Sequence, residues 1–328
     1  ALPGLHLWLP QAYAVTPAPA VAVLSGAMLK AGLLGWLRFL PLGSTELLHW
    51  GQALLIAGIT GIFFGAIAGL LQRSPRLLLG YSSISKVGVL TSGMGAALVW
   101  PETAPVVIAA VVIYAAHHAL VKGALFLGLG LVERSAVRPW TLAGLVFLAL
   151  ALAGAPLTSG ALAKSILTAS LPQDAQQLVM LLAVSAFATT LLMARFLFLV
   201  WRRRASKYTP LPAESLIAWW MLLVVIAAYP FVLAQAAQLM ANLVPVLLGI
   251  TSSLLLLLAI RRGSLPTLTR ARQVTQGRPA ARTMQAMRQL ANATQTVSGT
   301  LRVAAQSRFE RVQHAVKQRL LRPHAPLN

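Results

Sequence analysis

The chain has 328 residues, 58% of them hydrophobic and 10% charged, with a mean hydropathy of +0.75. Soluble domains carry roughly 25% charged residues, so this composition excludes an ordinary water-soluble globule and indicates a polytopic, all-α membrane helix bundle. Cysteine is absent, which excludes disulfides, thiolate-held zinc and iron–sulfur ligation by this chain, and the net charge of +21 lies between apolar segments and in the tail, where it reads as membrane topology rather than nucleic-acid binding.

No charged n-region and cleavage site open the chain, so no signal peptide is expected, and the first residue, Ala1, suggests a processed or truncated product. About eight apolar stretches follow, each long enough for a bilayer that takes about 20 helical residues to cross. They run over 15–38, 51–71, 81–100, 104–131, 141–170, 177–201, 215–238 and 241–260. Arg73 and Arg76 follow the second stretch, Arg134 and Arg138 the fourth, and Arg202, Arg203, Arg204 and Lys207 the sixth. The intervening loops carry Glu46, Glu102 and Asp174, with Arg38 the exception at the end of the first stretch. The positive-inside rule then places both termini in the cytoplasm of a cell whose inner membrane holds the chain.

The first stretch has Pro17 and Pro19 near its start and Lys30 well inside. The fifth is too long for one simple helix and contains Gly154, Pro156 and Gly160. Proline removes a backbone donor and glycine loosens the chain, so a broken helix is expected there, with Lys164 just past the break and the freed backbone facing protein or water. Residues 1–260 thus form a transmembrane domain. Residues 261–328 differ: they hold 12 of the 21 arginines plus Lys317, against one acid, Glu310. Apolar residues from Met284 to Leu320 recur at threes and fours, interrupted near Gly299, which predicts a basic amphipathic cytoplasmic tail lying on anionic lipid, with docking to a soluble partner as the second reading.

Of six lysines, four (Lys30, Lys86, Lys122 and Lys164) fall within apolar stretches, whereas of the arginines only Arg195 lies well within one. Arginine keeps its charge in essentially any protein environment, while a desolvated lysine can release its proton. Ionisable groups at membrane depth are costly and are typically kept for relay or transport. Residues 111–128 concentrate this chemistry, because Tyr114, His118 and Lys122 recur at i, i+4 and i+8 on one helix face. His117 points off that face and reads as a packing or hydrogen-bonding residue, and a tyrosine such as Tyr114 is more often a buried aromatic with a satisfied hydroxyl than a relay member. Lys86 is close enough to the second basic loop to snorkel to the interface. The adjacent histidines diverge on a helix, so no metal site is expected, and no cofactor motif stands out.

Four segments in order resemble a known family. L-H-L-W-L-P-Q-A-Y with P-A-P-A-V-A-V-L-S-G-A-M-L-K-A-G is similar to a W-L-P-D-A motif followed by a lysine-bearing helix. S-P-R-L-L-L-G-Y-S-S-I-S-K-V-G, A-H-H-A-L-V-K-G-A-L-F-L and G-A-P-L-T-S-G-A-L-A-K-S follow as further matches. These resemble the proton-conducting, antiporter-like subunits of respiratory complex I, membrane-bound hydrogenases and multisubunit Na+/H+ antiporters, over residues 1 to about 201. The resemblance implies a proton-translocating subunit of a respiratory complex, with Lys30, His118, Lys122 and Lys164 as the relay; Lys86, Tyr114 and His117 are further candidates from their place in the apolar stretches. Lys86 stands where the family usually has histidine or glutamine.

It also implies redox chemistry on other subunits, with no redox centre or cofactor in this chain, and an amino-terminal half carrying a glutamate–lysine pair that this sequence lacks. Either the chain is a fragment or split product, or a partner chain supplies that half, which is the inverted repeat of the one present. Expected partners are therefore other membrane subunits and redox subunits. Sodium-coupled or inorganic-carbon-linked transport on the same scaffold, and a truncated structural subunit that does not pump, are the alternative readings.

Overall fold

Every regular element among the described residues is helical, as lipid requires: without water to satisfy backbone N–H and C=O groups, a helix closes its own hydrogen bonds within one segment. The computed structural model describes residues 5–43, 47–134, 139–202, 213–233 and 243–261, all within one compact unit, residues 1–262. The amphipathic tail expected beyond position 261 lies outside the described residues.

Helix α1 (Trp8–Val15) stops at Thr16, whose N–H and hydroxyl both donate to Ala12 O, at 3.1 and 2.7 Å. Thr16 is extended, the conformation preferred before a proline. After Pro17 the chain restarts as α2 (Ala18–Val23), widens into a π-helical turn (Leu24–Met28) and continues as α3 (Leu29–Phe39). Then come α4 (Leu48–Leu70), α5 (Pro75–Val99), α6 (Ala104–Arg134), α7 (Pro139–Ala153), α8 (Ser159–Ala169), α9 (Gln176–Trp201), α10 (Ala213–Leu233) and α11 (Leu243–Arg261).

Five runs among the described residues are long and apolar enough to cross a membrane: 18–39, 48–70, 101–134, 173–201 and 213–232; α7 and residues 244–255 are shorter apolar helices. The third expected stretch differs from the rest. Its helix α5 has 25 residues and starts at Pro75 rather than 81, because a proline is well suited to the first turn, where its missing N–H has no partner to lose. Arg76, assigned above to a loop, therefore sits in that first turn. All but five residues of α5 are buried, so other helices surround it where lipid surrounds the apolar runs, and its Ser82, Ser83, Ser85, Lys86, Thr91 and Ser92 face protein.

Glycine makes this burial possible. Gly51, Gly58 and Gly65 of α4 lie against α5 so closely that a Cβ at Gly58 would stand 2.7 Å from Gly88 O, and one at Gly95 would stand 2.7 Å from Leu55 N. Small residues let helix backbones approach in this way, and α4 packs on α5 more extensively than any other described pair. On the opposite side α10 is fixed by Trp219, fully buried, whose indole N–H donates to Ala124 O at 3.0 Å.

The fifth stretch is broken as expected. Gly154 at φ +88° and Leu157 at φ +63° turn the chain between α7 and α8. The basic helix ends gather on one face: Arg76 of α5 grips Glu133 near the end of α6 with both carboxylate oxygens engaged (2.9 and 2.5 Å) and donates to Thr16 O at 2.5 Å. Near the end of α9, Arg195 donates twice to Gln72 O, just past α4.

Two apolar clusters divide the interior. One takes Val21 and Ala22, Leu78 to Ile84, Val121 to Val132, and Leu192 to Val200; the other takes Leu33, Val89 to Ala97, Ala104 to Ala115, Ala163 and Leu167, and Leu178 and Leu182. On four of the helical runs, polar groups fall in the gap between them: Ser25 and Lys30, Ser85 and Lys86, His117 and His118, Ser185 and Thr189.

Candidate functional site

That gap is a polar layer crossing the middle of the bundle. Lys30 reaches it from the first turn of α3, donating through Nζ to Ser25 O at 2.5 Å. The π-turn exposes this carbonyl: its wider spiral breaks the regular i to i+4 bonding, and such turns recur at functional sites. Gly26, within the same turn, packs against Ala119 of α6, since an added Cβ would lie 3.2 Å from the Ala119 carbonyl. Lys30 is thereby brought beside His118.

His118 is fully buried, and neither ring nitrogen hydrogen-bonds to a described residue. The charged groups whose fields reach it most strongly are Lys30 and Lys122. One turn on, Lys122 is also fully buried and donates to Leu79 O at 2.7 Å and Ser82 Oγ at 2.9 Å, both on α5. Close by, the buried hydroxyls of Tyr13 and Ser25 have no hydrogen-bond partner among the described residues; Tyr13 lies beside Ser25 and Ser83 but outside bonding geometry.

Each step of four residues advances about 400°, so Tyr114 and Lys122 lie about 80° apart around α6. Tyr114 lines a cavity of about 190 Å³ with Lys164, Thr168 and Ser185 among apolar neighbours. His117 accompanies it, hydrogen-bonded through Nδ1 to Ser159 Oγ at 2.9 Å, with its ring 6.1 Å from that of Tyr114.

Lys164 projects from α8 back over the break. Its amine donates to Ala153 O, the carbonyl at the end of α7, and Gly154 gives it room: a Cβ there would stand 2.8 Å from Nζ. Lys86 does not snorkel to the interface; it stays inside, 1% exposed, and donates to Thr189 Oγ1 at 2.6 Å.

The layer therefore holds four lysines and two histidines. The described acids (Glu102, Glu133, Asp174 and Glu214) all sit in turns or at helix ends, so no described carboxylate enters it. Ammonium groups brought together without counter-ions repel one another and are poorly solvated. The hydroxyl partners Ser82, Ser159 and Thr189 were not singled out from the sequence. The dense run Ser82, Ser83, Ser85 before Lys86 was the available signal, since lipid-facing helices seldom cluster hydroxyls.

Residues 1–191 match the family described as NADH:quinone oxidoreductase/Mrp antiporter, TM. The chain is 37% identical over 131 residues to formate hydrogenlyase subunit 3 of Escherichia coli, covering 38% of this chain and 22% of that protein. It is 32% identical over 219 residues to a subunit of the Na(+)/H(+) antiporter of Alkalihalophilus pseudofirmus, covering 60% and 42%. The fold resembles a chain in the Mrp complex from a Dietzia species, with a TM-score of 0.65 at 24% identity over all of this chain and 40% of that one. A chain of the archaeal membrane-bound sulfane sulfur reductase gives 0.58 at 25% identity over 69% and 41%. The chain thus spans between 22% and 42% of the length of these relatives.

Proposed function

Because the chain belongs to the NADH:quinone oxidoreductase/Mrp antiporter transmembrane family, we propose that it carries protons across the membrane as one subunit of a respiratory or antiporter complex. The observation that carries this reading is the polar layer, with His118, Lys122 and Lys164 buried inside the bundle, Lys30 part-buried beside them and no described carboxylate among them. In the proposed mechanism a proton arriving at Lys30 raises the charge beside His118, which passes the excess to Lys122 or onward to His117 and Lys164. Repulsion between neighbouring ammonium groups supplies the driving step, and the amine of Lys164 releases its proton into the cavity it shares with Tyr114.

The gathered basic ends of α5, α6 and α9 support an orientation with that face toward the cytoplasm. The partners in this reading are other membrane subunits, redox subunits that hold any electron-carrying centre, and anionic lipid beneath the tail. The relatives named for formate hydrogenlyase and the sulfane sulfur reductase favour a redox-driven complex.

The test is proton uptake by inverted membrane vesicles that contain the full chain with its native partners, driven by a potassium diffusion potential and compared with vesicles lacking the chain. Lys122→Met and Lys164→Met should each reduce uptake on the order of 10²-fold, the usual contribution of a proton-transfer group. Unchanged uptake in both variants would sink the proposal. Similarity to a component of an Na(+)/H(+) antiporter over 60% of the chain favours sodium exchange as the second reading; replacing sodium by choline on both sides abolishes uptake under that reading and leaves it intact under the first.

A further inference from the structure

The cavity beside Lys164 lies between α5, α6, α8 and α9, with Val89, Leu167 and Leu182 among its apolar walls. Two of its polar side chains have spent their protons on backbone carbonyls. The Thr168 hydroxyl donates to Lys164 O at 3.0 Å, and the Ser185 hydroxyl donates to Leu182 O at 2.7 Å. The other two retain donors. An ammonium has three N–H groups, and Lys164 places one on Ala153 O. The Tyr114 hydroxyl lines the cavity and bonds to no described residue. No described carboxylate lines the cavity with them. Asp174, the acid nearest in sequence, is exposed in the turn before α9 and is not part of the wall. The ionisable groups whose fields meet that of Lys164, Lys86 and His117, are basic as well. Thr168 near the end of α8 and Val179 near the start of α9 are half-buried, so the cavity approaches the bundle surface at those helix ends.

We propose that this cavity binds one small monovalent inorganic anion, a halide or bicarbonate, held between the Lys164 ammonium and the Tyr114 hydroxyl. A buried cation is costly unless it is paired, and the Ala153 carbonyl offers only the partial charge of a dipole. About 190 Å³ accommodates chloride or bicarbonate together with water, and two unspent donors on facing helices give the ion a fixed seat. The apolar walls select for single charge: a divalent anion would leave its second charge against Val89, Leu167 and Leu182 without a partner. Anion and proton are reciprocally linked at this place, since a neutral amine offers the anion no charge and the anion holds the proton on the amine by the same factor. The site goes beyond the proton-carrying role proposed above and does not depend on it. Where both hold, a proton leaves Lys164 as the anion leaves the cavity.

The test is equilibrium binding of ³⁶Cl⁻ to the full chain with its native partner subunits in lipid nanodiscs, with gluconate keeping the ionic strength constant. Saturable binding is expected, and Lys164→Gln should remove it. Tyr114→Phe keeps the ring and removes only the hydroxyl, and it should weaken binding on the order of tenfold, the loss of one hydrogen bond to a charged group. Displacement by bromide alone identifies a halide site, and displacement by bicarbonate as well identifies bicarbonate as a second occupant; either supports the proposal. Because Lys164 also closes the helix break, a second readout avoids changing it. Chloride in place of gluconate should raise the thermal midpoint of the unsubstituted chain, and Tyr114→Phe should need on the order of tenfold more chloride for the same rise. Absence of saturable chloride binding overturns the proposal, as does saturable binding that neither Lys164→Gln nor Tyr114→Phe alters. Neither readout involves proton uptake, so the anion site and the proton path stand or fall separately.

Discussion

The amine of Lys164 rests on the carbonyl of Ala153, the last residue of α7, so the lysine closes the break in the helix that carries it. A helix ending inside a membrane leaves carbonyls without partners, and a cation is the side chain that best satisfies them. The same bond fixes where the amine sits relative to the cavity. Structure and proposed chemistry therefore meet at a single contact.

Gly154→Ala should disturb both. Gly154 has φ +88°, a conformation that costs a residue with a Cβ about 1–2 kcal/mol, and the new methyl would press on Lys164 Nζ and Cδ, at 2.8 and 3.0 Å. We expect a lower thermal midpoint in detergent, with proton uptake reduced more than the stability loss explains. Gly160→Ala should be worse, since its methyl would collide with the backbone carbonyl of Ala151, which has nowhere to move. That variant is expected to give little monodisperse protein on size-exclusion chromatography.

His118→Leu separates stability from transport. Neither ring nitrogen of His118 has a described partner, and an unsatisfied buried polar atom costs about 1–3 kcal/mol. Replacing the ring by an apolar side chain should leave the thermal midpoint unchanged or raise it, while proton uptake falls at least about tenfold. A destabilised His118→Leu with normal uptake would show that the ring serves packing alone.

Arg76 and Glu133 tie the start of α5 to the end of α6, and Arg76 also holds the break after α1 through Thr16 O. The side chains are 19% and 15% exposed, so the pair is largely shielded from solvent. A double-mutant cycle with Arg76→Gln and Glu133→Gln should give a coupling of about 1–3 kcal/mol by denaturant unfolding. A coupling near zero would mean that the pair is screened as a surface bridge is.

Trp219→Phe keeps most of the ring but removes the N–H that donates to Ala124 O, and it should cost about 1–2 kcal/mol. Gly128→Ala attacks the same contact from the other side, because its methyl would stand 2.7 Å from the indole nitrogen. Tryptophan fluorescence during thermal unfolding reads both, and each should lower the midpoint.

Much of this molecule was legible in its sequence because lipid imposes few solutions. Run length and apolarity located the helices, and Gly154 with Pro156 located the break. The contrast between lysine and arginine inside apolar stretches picked out Lys30, Lys122 and Lys164. What stayed hidden depended on contacts between distant positions. Arg76 and Glu133 are 57 residues apart, and Lys86 and Thr189 are 103 apart. The π-turn at Leu24–Met28 gave no local signal, because Leu, Ser, Gly, Ala and Met suit a regular helix equally well. That Tyr114 shares a cavity with Lys164 was not legible either, because it depends on how α6 and α8 pack.

The glycine seam between α4 and α5 has an evolutionary consequence. Gly51, Gly58 and Gly65 recur every seven residues, and Gly88 and Gly95 answer them at the same interval, backbone against backbone. Neither helix can accept a methyl group at these places unless the other withdraws, so substitutions there have to arrive in matched pairs or not at all. The seam therefore constrains the two helices together, and Ser82 and Lys86 stand on the helix so constrained. The polar residues of α6, α8 and α9 that enter the layer lie outside this seam, so a change in them leaves the α4–α5 contact as it is.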